Sequence, residues 1–463
     1  MTTRWIAGLG LVVLSTALAA PAAASDGSRT IIRIRSGLDG WSAINSICLQ
    51  LGCQVVRPLD TLPGQTQPAS LFLVLNLPAL TPLVNSVLQL GGVESLEPDL
   101  LIVLARDDTW SADQASAAVV DQLADRTLVN YYGAVAWAAY LQQPAAGIVR
   151  LSDTHCILGE AGGGIVAVID TGVDPQHPTL QAVLTGGYDF TRNTYGGDET
   201  ADVQQASAAV VDDVRWVNSG TAAPVDQATA DVLSDGNHDD FGHGTMVAGV
   251  VHLTAPRAQI MPLKAFAANG QGYTSDIVRA VNYATSLGAK VINMSFSSAT
   301  ASAELRKALT SAMGRNIILV ASAGNGGTTT LVYPAAWNAV LGVASTANDD
   351  TRSSFSNYGA QLVDLAAPGE GIITTYPWAS FAAAWGTSFS APFVAGTAAL
   401  LAGMSPSATS SDISSALSHA QPLTSDLGWG RLDSYQAVSA GFVLWPSAPR
   451  SQSADACTVP SGS

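Results

Sequence analysis

One aspartate, one histidine and one serine stand in three short glycine-bearing segments far apart in the chain. Asp170 lies in VAVIDTGVD (166–174), His243 in FGHGTMVAGVV (241–251) and Ser388 in GTSFSAPFVAG (386–396). A serine hydroxyl is a feeble nucleophile near neutral pH and needs a base beside it. Imidazole is the natural base, because its ordinary pKa lies close to physiological pH. A buried carboxylate then fixes the imidazole tautomer and stabilises the imidazolium as it forms. The three residues supply one group of each kind, and the chemistry they predict is nucleophilic acyl transfer.

Their neighbours fit these roles. Asp170 closes an apolar run and precedes Thr171-Gly172, a turn that aims the carboxylate inward. His243 stands between Gly242 and Gly244, small residues that let other backbone approach the ring. Ser388 precedes a helix expected over Phe393–Leu401 with Pro392 in its first turn, where the dipole favours developing negative charge. An oxyanion also needs a donor. Asn325 in ASAGNG (321–326) follows an apolar strand and could donate together with the Ser388 N–H, although Gly-Asn-Gly is equally an ordinary turn.

Two other chemistries have local support. NHDDFGH (237–243) gathers His238, Asp239, Asp240 and His243, which suggests a metal-dependent hydrolase using His238 and His243. Such a site needs three or four converging ligands, and the helical HExxH spacing is absent. Asp170-Thr171-Gly172 suggests an aspartic protease, but that reaction needs two carboxylates sharing a proton and there is no second D-T-G. No metal site and no required cofactor are read from the sequence.

The elements that must position these groups read as an α/β domain. Apolar strand-like runs (IVAVID, QIMPLKAF, VINMSF, IILVASAG, VLGVAST) alternate with helical patterns at Thr245–Leu253, Ser275–Leu287 and Ala301–Met313. This alternation predicts a doubly wound, mainly parallel sheet with helices on both faces. Function in such a sheet gathers beyond the carboxyl ends of its strands, which is where Asp170 falls. Residues 191–240, rich in Asp, Gly, Asn and Thr, read as an inserted surface loop.

Ahead of this domain, residues 25–104 read as a small unit of strand, helix, two strands, helix and a last strand over 93–104 broken by Pro98. The βαββαβ order is that of a ferredoxin-like α+β fold. Residues 105–147 read as a linker, 148–440 as the main domain and 441–463 as a tail. The octapeptide QASAAVVD occurs at both 114–121 and 205–212; its alanine-rich composition predicts helix and no chemistry.

The chain has 463 residues, long enough for one large domain with appendages, and 48% of them are hydrophobic against 12% charged, so a sizeable core is expected. A net charge of −16 with no Lys/Arg cluster excludes nucleic acid and anionic lipid as natural partners. Residues 1–24 carry a basic start at Arg4, an apolar run Trp5–Ala20 and a small-residue site at Ala22–Ala24. This pattern predicts a signal peptide cut near Ala24–Ser25, a secreted product, and no membrane association once the leader is removed. No later window is expected to match a membrane span. Cys48, Cys53, Cys156 and Cys457 fit an oxidising destination, with three pairings open.

The three segments, in the order Asp–His–Ser, resemble the subtilisin (subtilase) family of serine proteases over roughly residues 160–440. The resemblance implies a secreted serine endopeptidase acting on polypeptides through an acyl-enzyme, with Asp170, His243 and Ser388 as the charge-relay residues and Asn325 as oxyanion donor. It also implies a zymogen in which residues 25–104 are an inhibitory propeptide, the enzyme's own intramolecular partner. Calcium is common in the family, but no EF-hand loop or carboxylate-rich ligand pattern calls for it here. The substrate-binding strand departs from the family's Ser-Leu-Gly, reading Ser295-Phe296-Ser297. That departure keeps alive an inactive secreted binding protein on the same fold as the alternative.

Overall fold

The structure, a computed structural model, describes residues 29–63, 69–104, 121–159, 163–203, 215–218, 220–225 and 227–451. The expected leader, Cys457 and all of the octapeptide repeat except Asp121 lie outside the described residues.

The N-terminal unit runs β1 (Thr30–Ile34), α1 (Gly40–Leu51), β2 (Gln54–Pro58), β3 (Leu71–Leu75), α2 (Pro82–Leu90) and β4 (Val93–Pro98), with an antiparallel sheet ordered β2-β3-β1-β4. Strand alternation divides its apolar residues between two cores. Ile32, Ile34, Phe72 and Val74 pack against Ile44, Ile47, Val84 and Leu88 of the two helices. Ile31, Leu71 and Leu73 face the other way and join the core of the main body. Within α1, residues five apart would face different directions. Gly52, at φ 73°, ends the helix and turns Cys53 back onto Cys48, and a disulfide joins them across a Cα–Cα distance of 4.4 Å. After Pro98 the chain leaves this sheet and forms a separate strand, β5 (Leu101–Val103), so the single last strand expected over 93–104 is two.

From Asp121 the stretch expected as linker is folded. A hairpin of β6 (Leu128–Tyr131) and β7 (Ala134–Trp137) leads into α3 (Ala138–Gln142), α4 (Pro144–Ile148) and α5 (Leu151–Leu158). Leu123, Ala136 and Tyr140 are buried in the main core. Tyr140 Oη donates to the Gly249 carbonyl (2.7 Å), and the Gln143 amide bonds Ile373 at both N (3.1 Å) and O (2.6 Å). Ala138, Ala139, Ala145 and Ala146 are small enough to let these short helices lie close against the body.

The main body continues with β8 (Ile165–Asp170), β9 (Tyr188–Asp189), β10 (Thr194–Tyr195), β11 (Arg215–Asn218), β12 (Thr221–Ala223), α6 (Gln227–Leu233), α7 (His243–Thr254), β13 (Gln259–Lys264) and β14 (Gln271–Tyr273). Then come α8 (Thr274–Ser286), β15 (Val291–Met294), α9 (Ala303–Met313), β16 (Ile318–Ser322), β17 (Leu341–Thr346), β18 (Leu365–Pro368), β19 (Ile372–Tyr376) and β20 (Ser380–Ala384). The chain ends in α10 (Thr387–Met404), α11 (Ser410–Leu417) and α12 (Ser434–Leu444). The eight-stranded sheet has the order β10-β9-β13-β8-β15-β16-β17-β18, parallel except for the β9–β10 pair. Its faces follow the alternation within each strand. Val166 and Val168 face α7 and α10, whereas Ala167 and Ile169 face α8 and α9. The fold is a doubly wound α/β domain, and the chain leaves β8 toward β13 on one side and returns to β15 on the other. The end of β8 is therefore a topological switch point, where such sheets place their crevice.

Three expectations change. The 191–240 insertion is not a bare loop, because β12 pairs with β20 in a second sheet, β11-β12-β20-β19. Helix α12 crosses residue 440, and Trp445 and Ala448 beyond it are buried. Helix α10 begins at Thr387 rather than Phe393. It is 18 residues long and apolar enough to cross a bilayer, but it is packed in the core on nearly every side. Pro392 thus sits inside a helix, where it cannot bond the carbonyl of Ser388 four residues back. Ser295 Oγ donates to that carbonyl instead (2.8 Å).

Candidate active site

Asp170, His243 and Ser388 come from three separate elements. Asp170 is the last residue of β8, His243 the first of α7 and Ser388 the second of α10. Only 0%, 9% and 4% of their surfaces are exposed, in that order, so the chemistry would run largely shielded from water. The Asp170 and His243 turns meet through glycine. A Cβ on Gly244 would lie 2.0 Å from the Gly172 carbonyl oxygen. Gly242, at φ 91°, lies under the Tyr376 ring, where a Cβ would fall 2.3 Å from a ring carbon.

Asp170 Oδ1 lies 2.7 Å from His243 Nδ1 and also accepts from the Thr171 N–H (2.7 Å). Burial alone would depress the imidazole. The charge and hydrogen bond of Asp170, with smaller contributions from Asp240 and Glu199, outweigh it and hold His243 above its ordinary value of 6.5. The imidazole packs on Phe389 with ring centroids 5.5 Å apart. Ser388 Oγ donates to the carbonyl of Ser295 (3.2 Å).

Asn325 follows β16 and is half-buried. Its Oδ1 accepts from both the N–H (2.9 Å) and the hydroxyl (2.8 Å) of Thr387. Two donors on one oxygen fix the orientation of the amide and turn its Nδ2 toward Gly386, where a Cβ would lie 3.3 Å away. At the start of α10 the Thr387 N–H is taken by Asn325, and the Phe389 N–H bonds Gly386 O (3.0 Å). Ser388 N–H, between them, has no partner within the helix by position. One side-chain and one backbone donor thus lie at the start of α10, beside Gly386.

Of the substrate-strand residues, Ser295 and Phe296 are fully buried just past β15, Phe296 against Phe266 with centroids 5.1 Å apart. Ser297 is half-buried, its Oγ 3.4 Å from the Cβ position of Gly324. The local acidic cluster splits apart. His238 Nδ1 pairs with Asp235 (3.1 Å) while His243 turns to Asp170, and among the described residues no three His, Cys, Asp or Glu converge as a metal site.

The N-terminal unit leads into this region. Strand β5 pairs antiparallel with β14, and the Leu104 N–H bonds Gly270 O (2.9 Å). A Cβ on Gly270 would meet the Asp240 carboxylate three residues before His243. The unit is held at two helix starts. The Asp99 carboxylate accepts from Ser275 N (2.7 Å) and Oγ (2.8 Å) at α8, and Glu97 accepts from Ala303 N (2.8 Å) and Glu304 N (3.3 Å) at α9.

Two ionisable groups behind the site escaped the sequence reading. Glu199 and Lys264 are both 0% exposed. A lysine closing the otherwise apolar run QIMPLK was the available signal for one. Glu199, inside a polar insertion, carried none.

Comparisons with known proteins give one pattern. The Subtilase family matches residues 162–438. Thermitase of Thermoactinomyces vulgaris is 34% identical over 295 residues, covering 61% of this chain and 90% of its own. Thermophilic serine proteinase of Bacillus sp. (strain AK1) is 34% identical over 283 residues, covering 60% of this chain and 62% of that protein. Subtilisin BL of Lederbergia lenta is 34% identical over 259 residues, covering 54% and 80% respectively.

Proposed function

Since the chain belongs to the subtilase family and is a subtilisin-like serine endopeptidase acting on polypeptides, we propose that Asp170, His243 and Ser388 are its charge-relay residues. The observation that carries this reading is the 2.7 Å contact between Asp170 Oδ1 and His243 Nδ1, with Ser388 at the start of the adjoining α10. In catalysis the Ser388 hydroxyl turns from the Ser295 carbonyl to His243 Nε2, gives up its proton and attacks the scissile carbonyl. Asp170 stabilises the imidazolium. The oxyanion is received by Asn325 Nδ2 and the Ser388 N–H, with the positive end of α10 behind them. His243 then protonates the leaving amine, and water repeats the sequence on the acyl-enzyme.

In this reading residues 25–104 are an inhibitory propeptide and the full chain is a zymogen. Its support is the pairing of β5 with β14 beside the crevice and the acidic caps on α8 and α9. Secretion rests on the leader-like residues 1–24 and accords with the Cys48–Cys53 disulfide. No feature of the site favours the inactive binding protein.

The test is covalent. A peptidyl phosphonate should label Ser388 of the matured protein, as located by mass mapping. Activity that persists with Ser388 unlabelled would sink the reading. A Ser388→Ala chain should accumulate uncut, and normal processing of that variant would show that another protease performs maturation.

A further inference from the structure

The Glu199 carboxylate lies behind the catalytic pair and touches the turn of one partner and the helix of the other. Its Oε1 accepts from the Thr171 hydroxyl and from the Gly242 N–H (2.9 Å). Its Oε2 accepts from the Thr245 N–H (3.2 Å) and the Thr245 hydroxyl. Thr171 follows Asp170, and Gly242 and Thr245 bracket His243. The Thr171 oxygen also accepts from the Gly244 N–H (2.8 Å), so Thr171 and Glu199 together take the N–H groups of Gly242, Gly244 and Thr245 around the start of α7. The other end of Thr171 is held as well. Lys264 Nζ donates to its carbonyl (2.7 Å), to Phe266 O (2.7 Å) and to Asp202 Oδ2 (2.6 Å).

Four donors onto one carboxylate match its acceptor capacity, and a carboxylate presents no donor of its own. An amide in its place would aim N–H at N–H on one side. The backbone needs a carboxylate here for its shape as well as its charge.

We infer that Glu199 is a positioning residue of the reaction, its single carboxylate setting the spacing between the Asp170 turn and the His243 end of α7. The inference rests on the triad reading above. The charged and titratable groups around Glu199 are Asp170 on β8, Lys264 on β13, His243 on α7, Asp240 just before α7 and Tyr376 on β19. Lys264 is in turn faced by Asp202, Asp189 and Arg192. Burial pushes the Glu199 carboxyl up to about 7 against the pull of the two threonines and Lys264, and its charge helps to raise His243. Removing that charge lowers the imidazole pKa, so the acid limb of activity moves to lower pH.

The experiment compares the matured wild type with Glu199→Gln, using kcat per phosphonate-titrated site, KM and the pH profile of kcat/KM. The expected result is a fall in kcat of about 10²-fold, as for a small misplacement of catalytic groups, with KM nearly unchanged and the acid limb displaced downward. A Glu199→Gln enzyme that melts earlier but keeps wild-type kcat per site and acid limb would overturn the inference, leaving Glu199 merely structural. Should Glu199→Gln fail to fold, Thr171→Val decides, because it removes the hydroxyl that links Glu199 to the Asp170 turn and that also takes the Gly244 N–H. It should lose kcat per site, and Thr171→Ser should restore it; equal kcat in the valine and serine variants overturns the inference. Phosphonate labelling of the wild type tests the triad itself, so failure there is distinct from failure here.

Discussion

In the proposed triad the hydrogen bond between Asp170 and His243 sets how activity depends on pH. In the proposed mechanism His243 acts only as free base, and its pKa is held above 6.5, so kcat/KM should fall as pH drops through a value above 6.5. Asp170→Asn removes the charge that raises the imidazole. The acid limb then moves to lower pH, and the tautomer is no longer fixed. Loss of the corresponding carboxylate in a related triad costs about 10⁴-fold in kcat, and a loss of that order is expected here in peptide hydrolysis per titrated site. At this scale much was legible. Asp170, His243, Ser388 and Asn325 stand out because each sits in a glycine-bearing segment at an element's end. Glu199 does not, because nothing in a polar insertion marks which carboxylate turns inward. That is decided by the Gly242 and Thr245 N–H groups at the start of α7 and by two threonine hydroxyls, which no local spacing reveals.

Among the elements, α10 shows how a local rule is broken and repaired. Pro392 in its interior leaves the buried Ser388 carbonyl without a helical partner, and Ser295 Oγ supplies one. Ser295→Ala should therefore cost about 1–3 kcal/mol of stability, the range for a buried acceptor left unpaired. Pro392→Ala returns an N–H to the same carbonyl. In denaturant titrations the double variant should recover part of the loss, giving a non-zero coupling. Sequence alone puts Pro392 in a first turn, proline's usual place in a helix. The rescue from a strand almost a hundred residues away was out of its reach.

Helix α7 carries a second device. His252 is buried, neither ring nitrogen has a hydrogen-bond partner, and burial, with His177 and His155 nearby, pulls its pKa down to about 4. Between about 4 and 6.5 the unfolded chain binds the proton that the folded one refuses. Stability present above pH 6.5 should therefore decline as pH falls toward 4, by about 3 kcal/mol from this residue. His252→Leu should flatten that slope in denaturation midpoints measured at pH 7 and pH 4.5, and an unchanged slope would refute the assignment.

For the molecule as a whole, the sheet and its flanking helices were readable from the alternation of apolar strands and amphipathic helices. The boundaries were less so, because alanine-rich helices buried against a body resemble a linker in composition. This bears on maturation. Leu104 is held to Gly270 on one side, and from Leu123 onward the chain is packed into the main core on the other. If the full chain is a zymogen as proposed, the N-terminus of the mature enzyme should fall between residues 105 and 122. Edman or mass-spectrometric sequencing of the matured protein checks this, and a start beyond Leu123 would contradict it.

The proposed nucleophile is the second residue of an 18-residue helix packed in the core on nearly every side. The proposed base begins a helix with no exposed residue, and the proposed carboxylate ends a central strand. None of the three can detach by fraying of a surface segment. The hydrogen-bonded amides of β8 and of the interior of α10 should therefore exchange slowly, released only when the sheet opens as a unit. Heat would then extinguish catalysis and structure together, with no lower-temperature stage in which a folded enzyme has already lost its active site.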